Sequence, residues 1–252
     1  MSGINTITFD LWQTLLLDTK EMGRERANLR LTRTQAILLA CGEKCDIEDL
    51  NEAYTNCYQE CRSIREQGLD ISFQEQVGLF IFKISPDLRA RVGEGTFTKL
   101  MQVYSDAFFV YPPAPHKNAI EVLGYLKTTG CKLGLISNTA MTPGVAFKRF
   151  LKDHSMLKFF DVLTFSDEVK LSKPSAEMFL TTLTELGSEP SLAVHIGDDV
   201  RTDIIGARTV GMKAIWIKGF SDRGDSNEPF SEPDVTVDDL SLLPDAIQKF
   251  LC

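Results

Sequence analysis

An aspartate follows an apolar, β-branched run near the start of the chain, in the segment Ile7-Thr8-Phe9-Asp10-Leu11-Trp12. Such a run is typical of a buried strand, so the pattern places the Asp10 carboxylate at a strand end. A carboxylate in that position can act as a nucleophile and form a covalent intermediate. The residue two positions later is Trp12, and its indole N–H can serve neither as a general acid nor as a general base.

Polar groups also follow three later apolar runs. In chain order they are Ser137-Asn138, Lys173, Asp198-Asp199 and, one turn later, Asp203. Ligands of open α/β sheets bind beyond the carboxyl ends of the strands, so these groups are expected to converge with Asp10. Taken singly, each could be an ordinary turn or helix-cap residue. Their occurrence together, in this order, indicates a functional site.

The combination suits phosphoryl transfer. A carboxylate can attack phosphorus to form an acyl phosphate. A hydroxyl, an amide and a lysine ammonium can hold the remaining phosphoryl oxygens. Magnesium prefers carboxylate oxygens and water, and it screens the repulsion between an anionic nucleophile and an anionic substrate.

Strand-like and helical segments alternate around these groups. The strand-like segments are Ile4–Asp10, Lys132–Ser137, Val162–Phe165, Leu192–Ile196, Lys213–Ile217 and Val235–Val237. The helical segments between them are Asn118–Thr129, Pro143–Lys152, Ala176–Leu186, Thr202–Val210 and Leu240–Phe250. This alternation predicts an α/β fold, a parallel sheet with helices on both faces.

A block of helices interrupts that alternation after the first strand. Its predicted members are Lys20–Ala40, Ile47–Gln67, Ser72–Ile84 and Pro86–Phe109. The proline-rich stretch Tyr111–His116 ends the block, because proline cannot continue a helix. We therefore predict an α/β domain made of residues 1–16 and 113–252 and an inserted all-helical domain at 17–112. Two connections to an insert permit hinge motion, as in a lid.

Composition narrows the function further. The chain has 252 residues, a formal net charge of -8 and 43% hydrophobic residues. A general nucleic-acid binder needs a basic surface, so no nucleic-acid partner is expected.

The start of the chain lacks the pattern of a secretion signal and no window resembles a membrane span, so we expect a cytoplasmic protein that does not bind membranes. Gly219–Pro233 is predicted to be a polar surface loop. The amino-acid sequence does not indicate the oligomeric state of the protein.

Four cysteines form two pairs, Cys41/Cys45 and Cys57/Cys61. Two such pairs could bind zinc. The second pair lies in a helical pattern, however, and structural zinc pairs are usually found on tight turns. We therefore expect free, partly buried thiols.

The motifs resemble those of the haloacid dehalogenase-like (HAD) hydrolase superfamily. The segments that match its four motifs are Phe9–Leu15, Leu135–Asn138, Lys173-Pro174 with Glu177–Phe179, and His195–Arg208. The fourth is the most specific, and the resemblance covers almost the whole chain. It implies a Rossmann-like HAD core with a helical cap domain inserted after the first motif.

The resemblance also implies catalytic and metal-binding roles. Asp10 is expected to be the nucleophile, with Lys173 as the second catalytic residue that neutralises charge on the nucleophile and the substrate. Magnesium is the implied cofactor, and its expected ligands are Asp10, Asp198 and the backbone carbonyl of Trp12.

Substrate-binding and supporting residues follow in the same way. The transferring group of a small phosphorylated substrate is expected to contact Ser137, Asn138 and Lys173, and the Trp12 side chain is expected to line the substrate site. Three further residues are expected to hold the metal-binding and substrate-binding residues in place: Thr14, Asp199 and Asp203.

Trp12 is a departure from the family pattern. Most phosphatases of the superfamily have a second aspartate there, which protonates the leaving oxygen and then activates water. Loss of a positioned acid–base group typically costs about 10²–10⁴-fold in rate. The haloacid dehalogenases of the family replace the same aspartate with tyrosine and use no metal. Asp198 and Asp199 favour a metal site, because carboxylates clustered near Asp10 without a cation would repel one another.

We therefore expect a magnesium-dependent phosphatase that forms an aspartyl-phosphate on Asp10. The alternatives are a metal-independent 2-haloacid dehalogenase and a non-catalytic HAD-fold binding protein. The arginines of the helical insert are Arg24, Arg26, Arg30, Arg33, Arg62 and Arg65. They could meet an anionic substrate, but on helices such residues more often form a solvated face.

Overall fold

The computed structural model describes residues 3–218 and 229–251. Its strands are β1 (Thr6–Phe9), β2 (Leu16–Leu17), β3 (Ala114–Pro115), β4 (Lys132–Ser137), β5 (Val162–Phe165), β6 (Ala193–Gly197), β7 (Lys213–Ile217) and β8 (Val235–Val237). Its α-helices are α1 (Lys20–Ala40), α2 (Ile47–Glu66), α3 (Phe73–Ile84), α4 (Leu88–Val110), α5 (Ala119–Thr128), α6 (Gly144–Asp153), α7 (Ser166–Val169), α8 (Ala176–Leu186), α9 (Ile205–Thr209) and α10 (Leu243–Leu251). Most of the predicted loop Gly219–Pro233, residues 219–228, lies outside the described residues.

Six strands form one parallel sheet in the order β5-β4-β1-β6-β7-β8. This confirms the predicted fold class. The central strand is β1, and its Phe9 is level with Leu135 of β4 and Ile196 of β6. The backbone N–H of Asp10 extends the ladder by donating to the Ile196 carbonyl at 2.8 Å. The carboxyl ends of the three middle strands therefore meet at one edge, as the sequence predicts.

Each face of the sheet carries its own hydrophobic core. Side chains of β1 such as Ile7 and Phe9 are fully buried in the larger core, which includes residues of α5, α6 and α10. The opposite core contains Ile136 of β4 together with residues of α8 and α9. Strands buried on both faces read as continuous apolar runs, which is why the sequence pattern located them.

The inserted helices α1–α4 have a separate core of their own. It contains Cys57 and Cys61, one turn apart on the buried side of α2, beside aromatic residues of α3 and α4. Ser72 and Glu75 form a reciprocal capping box at the start of α3. The predicted helix Pro86–Phe109 is interrupted at Gly93, where the backbone has a φ of 77°. None of the described helices is both long and apolar enough to cross a membrane.

A short antiparallel ribbon joins the two units. Leu16 of β2 pairs with Pro115 of β3, and the His116 N–H donates to the Leu15 carbonyl at 2.8 Å. The sequence pattern did not predict these two strands, because two-residue pairings lack a periodic signal. Both chain crossings lie beside this ribbon, and we propose the domain boundaries there, at 16/17 and 112/113.

Candidate active site

One lysine lies between two carboxylates at the edge of the sheet. The Lys173 Nζ is 2.5 Å from an Asp10 oxygen and 2.6 Å from an Asp203 oxygen. All three residues are at least nine-tenths buried. Burial by itself lowers the pKa of Lys173, but Asp10 and Asp203 raise it above its ordinary value. Burial likewise opposes ionisation of Asp203, yet Lys173 holds the pKa of Asp203 well below its usual range. Lys173 is therefore an ammonium paired with two carboxyl groups.

A third carboxyl group joins this cluster. One oxygen each from Asp10, Asp198 and Asp203 lie within 4.8 Å of one another. Burial and the Asp203 carboxylate raise the pKa of Asp10 to about 7, although Lys173 opposes this. Burial and then the Asp10 carboxylate raise the pKa of Asp198 to about 8. Burial and repulsion between neighbouring carboxyl groups thus both disfavour the ionised forms of Asp10 and Asp198.

A π-helical turn over Val200–Ile204 brings Asp203 into the cluster. The second oxygen of Asp203 accepts the Asp199 N–H at 3.0 Å. A Cβ on Gly197 would lie 2.3 Å from the Asp203 carboxyl carbon, so only glycine leaves room for that side chain. Single π-turns of this kind are frequent at functional sites.

Asn138 contacts the backbone of Lys173 on both sides. Its Oδ1 accepts the Lys173 N–H at 2.9 Å, and its Nδ2 donates to the Lys173 carbonyl at 3.1 Å. The side-chain amide that was expected to bind substrate therefore positions Lys173. Substrate contact by Asn138 stays a prediction.

Two hydroxyls in the segments that follow β1 and end β4 are buried without a partner among the described residues. No hydrogen-bond partner within the described residues contacts Ser137 Oγ or Thr14 Oγ1. Ser137 is fully buried, at the carboxyl end of β4 beside β1. A buried hydroxyl without a partner is costly unless a ligand or water completes its hydrogen bond. This supports the predicted ligand contact of Ser137.

Asp199 has a local role in the same loop. One of its oxygens accepts the N–H groups of Arg201 and Thr202, at 2.9 and 3.2 Å. It therefore caps the turn that carries Asp203. The backbone carbonyl of the neighbouring residue, Asp198, accepts a hydrogen bond from the Trp216 indole N–H at 2.8 Å. Both contacts hold the acidic loop in place.

The Trp12 side chain packs among aromatic rings. It meets Phe108 of α4 and Phe147 of α6 edge-on, with centroid separations of 6.3 and 5.4 Å. The Arg26 guanidinium lies 5.6 Å from its ring centre. Two backbone hydrogen bonds hold the turn after β1: the Leu16 N–H donates to the Leu11 carbonyl, and the Gln13 N–H donates to the Leu16 carbonyl. Neither of these two bonds involves the carbonyl of Trp12, which is the expected metal ligand. The Trp12 side chain therefore lies among aromatic rings from both units, and it brings an indole where an acid–base residue would bring a carboxylate.

The loop between α2 and α3 contacts the α/β domain next to Lys173, in a contact that we call the cap anchor. Asp70 accepts a hydrogen bond from Ser166 Oγ at 2.6 Å, and Ser166 Oγ in turn accepts the Thr139 N–H at 2.9 Å. Arg65 lies 3.4 Å from the other Asp70 oxygen. The Ser172 N–H donates to the Gly68 carbonyl at 3.0 Å. The cap anchor thus ties the helical insert to the segment that ends in Lys173.

Two arginines of the insert are buried, contrary to the expectation from the sequence. Arg26 and Arg30 are only 5% and 3% exposed, whereas a solvated face was expected for the arginines of these helices. Both project from one side of α1 toward the boundary with the α/β domain. Arg26 pairs with Asp18 and donates to the Tyr111 carbonyl at 2.7 Å. Tertiary packing, which periodicity cannot reveal, buries them.

Sequence reasoning also missed His195 and Asp70. The ring of His195 is fully buried between Thr8 Oγ1, at 2.8 Å, and Asp203, at 3.4 Å, and burial lowers the pKa of His195. It lies within the fourth motif, two residues before Gly197 on the same strand, so its position was available as a signal. Nothing in the sequence distinguished Asp70, because the Ser166 hydroxyl that it binds in the α/β domain lies 96 residues away along the chain.

Comparisons with known proteins indicate the family of the chain. The model of the haloacid dehalogenase-like hydrolase family matches residues 72–217. A glyceraldehyde 3-phosphate phosphatase of Methanothermobacter thermautotrophicus is 34% identical over 139 residues, which cover 53% of this chain and 58% of that protein. The chain thus spans less than two thirds of that relative.

Solved structures match over nearly the full length. A 2-haloacid dehalogenase from Pseudomonas syringae superposes with a TM-score of 0.74 at 21% identity, covering 98% of this chain and 99% of that one. A HAD phosphatase from Thermococcus onnurineus superposes with a TM-score of 0.62 at 25% identity, covering 97% and 98%. At 21% identity the dehalogenase likeness concerns the fold alone.

Proposed function

We propose that this chain, which belongs to the haloacid dehalogenase-like hydrolase family, is a magnesium-dependent phosphatase of a small phosphorylated metabolite. The observation that carries the proposal is the buried cluster of Asp10, Asp198 and Asp203 around the single ammonium of Lys173. A metal-free reaction needs no such excess of acidic groups. The similarity to a glyceraldehyde 3-phosphate phosphatase supports the same reaction class.

The residues of the cluster fit a divalent cation. Magnesium takes oxygen ligands at about 2.0–2.1 Å, so oxygens on opposite sides of one ion are about 4 Å apart. The 4.8 Å limit on the three carboxyl groups is close to that span. Asp203 already binds Lys173 and the Asp199 N–H, so we assign direct contact to Asp10, Asp198 and the Trp12 carbonyl. A bound magnesium supplies positive charge that offsets repulsion between the carboxylates and the phosphate.

The first step forms a bond between an Asp10 oxygen and phosphorus and breaks the bond from phosphorus to the leaving oxygen. Lys173 stabilises the negative charge that develops on the phosphoryl oxygens, and Ser137 Oγ is a donor to one of them. Asn138 keeps Lys173 in place through its two backbone hydrogen bonds. Water then attacks the phosphorus of the aspartyl-phosphate and the bond from phosphorus to the Asp10 oxygen breaks. Both protons of the water stay on the released inorganic phosphate, and Asp10 is restored as a carboxylate.

Trp12 determines which leaving groups are favoured. Its indole packs against Phe108 and Phe147 and has no acidic proton to give to the departing oxygen. Leaving groups that depart as stable anions do not need that proton. We therefore propose a preference for phosphates with leaving groups of low pKa over simple alkyl esters.

The test measures hydrolysis of p-nitrophenyl phosphate and ethyl phosphate, each with magnesium and with EDTA. We expect magnesium-dependent release of p-nitrophenol and slower hydrolysis of the ethyl ester. Equal rates in EDTA would contradict the metal requirement. Halide release from 2-chloropropionate in EDTA would instead establish the dehalogenase alternative, and no turnover of any substrate would support a binding protein.

A further inference from the structure

Arg30 is a buried guanidinium that has no carboxylate partner within the described residues. It is 3% exposed. Its three hydrogen bonds go to neutral oxygens: the Tyr104 carbonyl at 3.1 Å, the Tyr54 hydroxyl at 3.3 Å and Thr142 Oγ1 at 3.1 Å. A guanidinium offers more N–H donors than these bonds use. A buried charge without a counter-charge is costly, so the site favours an anion.

Arg26, one turn earlier on α1, shows how the same side chain is normally accommodated. Arg26 is buried to a similar degree, but it forms an ion pair with Asp18. Arg65 of the cap anchor likewise has Asp70 as its partner. Among these three arginines of the insert, Arg30 alone lacks an acidic neighbour in the described residues. Its missing counter-ion is therefore a specific feature of this position.

Arg30 also lies where the insert meets the catalytic edge. Its Nη2 contacts Thr142, five residues beyond Ser137 on the loop that follows β4. Met141, next to Thr142, packs into the core of the insert. The guanidinium therefore lies at the domain boundary, in contact with the loop that follows Ser137 and Asn138.

Further polar atoms without partners lie near Arg30. The Tyr104 hydroxyl is fully buried, and so is Thr34 Oγ1, one turn after Arg30 on α1; neither has a hydrogen-bond partner within the described residues. The Tyr104 ring lies 5.4 Å from the Arg30 guanidinium. Buried hydroxyls without partners next to a guanidinium leave hydrogen-bonding capacity that the oxygen atoms of a ligand could use.

We propose that Arg30 binds a second anionic group of the substrate, a carboxylate or a second phosphate, at the end away from the transferring phosphoryl group. The inference rests on the proposed phosphatase function and specifies its substrate class: a small phosphorylated metabolite with two anionic ends. The planar fork of a guanidinium suits paired oxygens of either anion.

The experiment uses ligands that differ mainly in the second group. Glycerol 3-phosphate has a neutral end, 3-phosphoglycerate has a carboxylate there, and propane-1,3-diol bisphosphate has a phosphate. Each is measured as a competitor of p-nitrophenyl phosphate hydrolysis with magnesium. Binding to the Asp10→Asn protein is measured separately by calorimetry, which does not depend on turnover.

We expect one or both of the ligands with two anionic ends to bind roughly 10- to 100-fold more tightly than glycerol 3-phosphate, the range expected for hydrogen bonds to a charged group. Arg30→Gln should reduce that ratio to near one, and Arg30→Lys should keep part of it. Comparison of the carboxylate with the phosphate shows which anion the site prefers. Circular dichroism verifies that each variant is folded.

Two control variants separate anion binding from a structural role. Thr142→Val removes a neutral acceptor but keeps the charge, so the ratio should survive. Arg33→Gln removes an exposed arginine of the same helix and should change nothing.

Three outcomes would overturn the proposal. The wild type could show no preference for the ligands with two anionic ends. The preference could persist in Arg30→Gln. Arg30→Gln and Thr142→Val could weaken all ligands equally, as a purely structural contact predicts. Absence of p-nitrophenyl phosphate hydrolysis would contradict the phosphatase function, and calorimetry with Asp10→Asn would still decide whether Arg30 selects anions.

Discussion

The cluster around Lys173 and the cap anchor are both buried, charged networks, but their charges differ. In the cap anchor, one carboxyl group, Asp70, faces one guanidinium and receives hydrogen bonds from Ser166 Oγ and the Ile71 N–H. Around Lys173, two carboxyl groups pair with the ammonium and a third, from Asp198, lies close to them. The anchor pairs one carboxyl group with one guanidinium, whereas the cluster brings three carboxyl groups together, and we propose that a cation completes it.

This difference separates a structural network from a reactive one. Buried charges that are paired and hydrogen-bonded fix two elements relative to each other, as the anchor does for the insert and the Lys173 segment. A cluster with excess like charge stores unfavourable electrostatic energy that a cation and an anionic substrate can relieve. The predictions below test this contrast.

The largest effect is expected for Asp10→Asn. The amide keeps the size of the side chain but cannot form the acyl phosphate, so kcat for p-nitrophenyl phosphate should fall by at least about 10⁴-fold. Retained turnover with magnesium would show that Asp10 is not the nucleophile. A folded protein with an unchanged circular dichroism spectrum is the control.

Asp198→Asn is expected to lower the activity with magnesium and to raise the melting temperature of the metal-free protein. Activity with magnesium should fall by about 10²–10³-fold, because one metal ligand loses its charge. Without metal the melting temperature at neutral pH should rise, because the raised pKa of Asp198 makes folding take up a proton there, a cost that asparagine does not carry.

Thermal unfolding with and without magnesium checks the second half of that prediction. Magnesium should stabilise the wild type, because it binds only the folded state, and should stabilise Asp198→Asn less. A lower melting temperature of the metal-free variant would contradict the view that the cluster is electrostatically strained.

Ser166→Ala should act mainly on stability. It leaves an Asp70 oxygen and the Thr139 N–H without their shared partner, at a cost of about 2–3 kcal/mol in the free energy of unfolding. Denaturant titration measures that change. Because Ser166 does not touch Asp10 or Lys173 in the described contacts, the loss of kcat should stay below that of Asp198→Asn. A larger loss of kcat would place Ser166 in the reactive network.

The smallest effect is expected for Arg62→Ala. Arg62 pairs with Glu66 on the surface of α2, and both side chains are more than half exposed. Such pairs contribute about 0–0.5 kcal/mol, so denaturant titration should find the free energy of unfolding almost unchanged. A cost like that of Ser166→Ala would undermine the argument that burial gives the cap anchor its strength.

Much of the site was predictable because strand ends are predictable. The buried strands appear in the sequence as apolar runs, and Asp10, Ser137 and Asp198 follow those runs directly. Parallel pairing then forces these residues to one edge, whatever the loops do. The helices of the insert were visible for the same reason, through their periodicity and capping residues, although their ends differ by a few residues.

The partners of these residues could not be predicted. Asn138 was expected at the substrate, yet it holds the Lys173 backbone 35 positions later in the chain. Trp12 was expected to line the site, and its contacts with Phe108 and Phe147 come from helices in both units. Neither relation leaves a local pattern.

The sequence by itself determined the α/β class, the helical insert and the order of chemical groups along the sheet edge, because local periodicity and strand ends encode them. Only the tertiary structure decided how the charges balance: Lys173 between two carboxylates, Asp70 paired across the domain boundary, and Arg30 buried without a counter-ion among the described residues. The physical reason is that charge pairing and burial depend on distances between residues far apart in the chain, which packing alone sets.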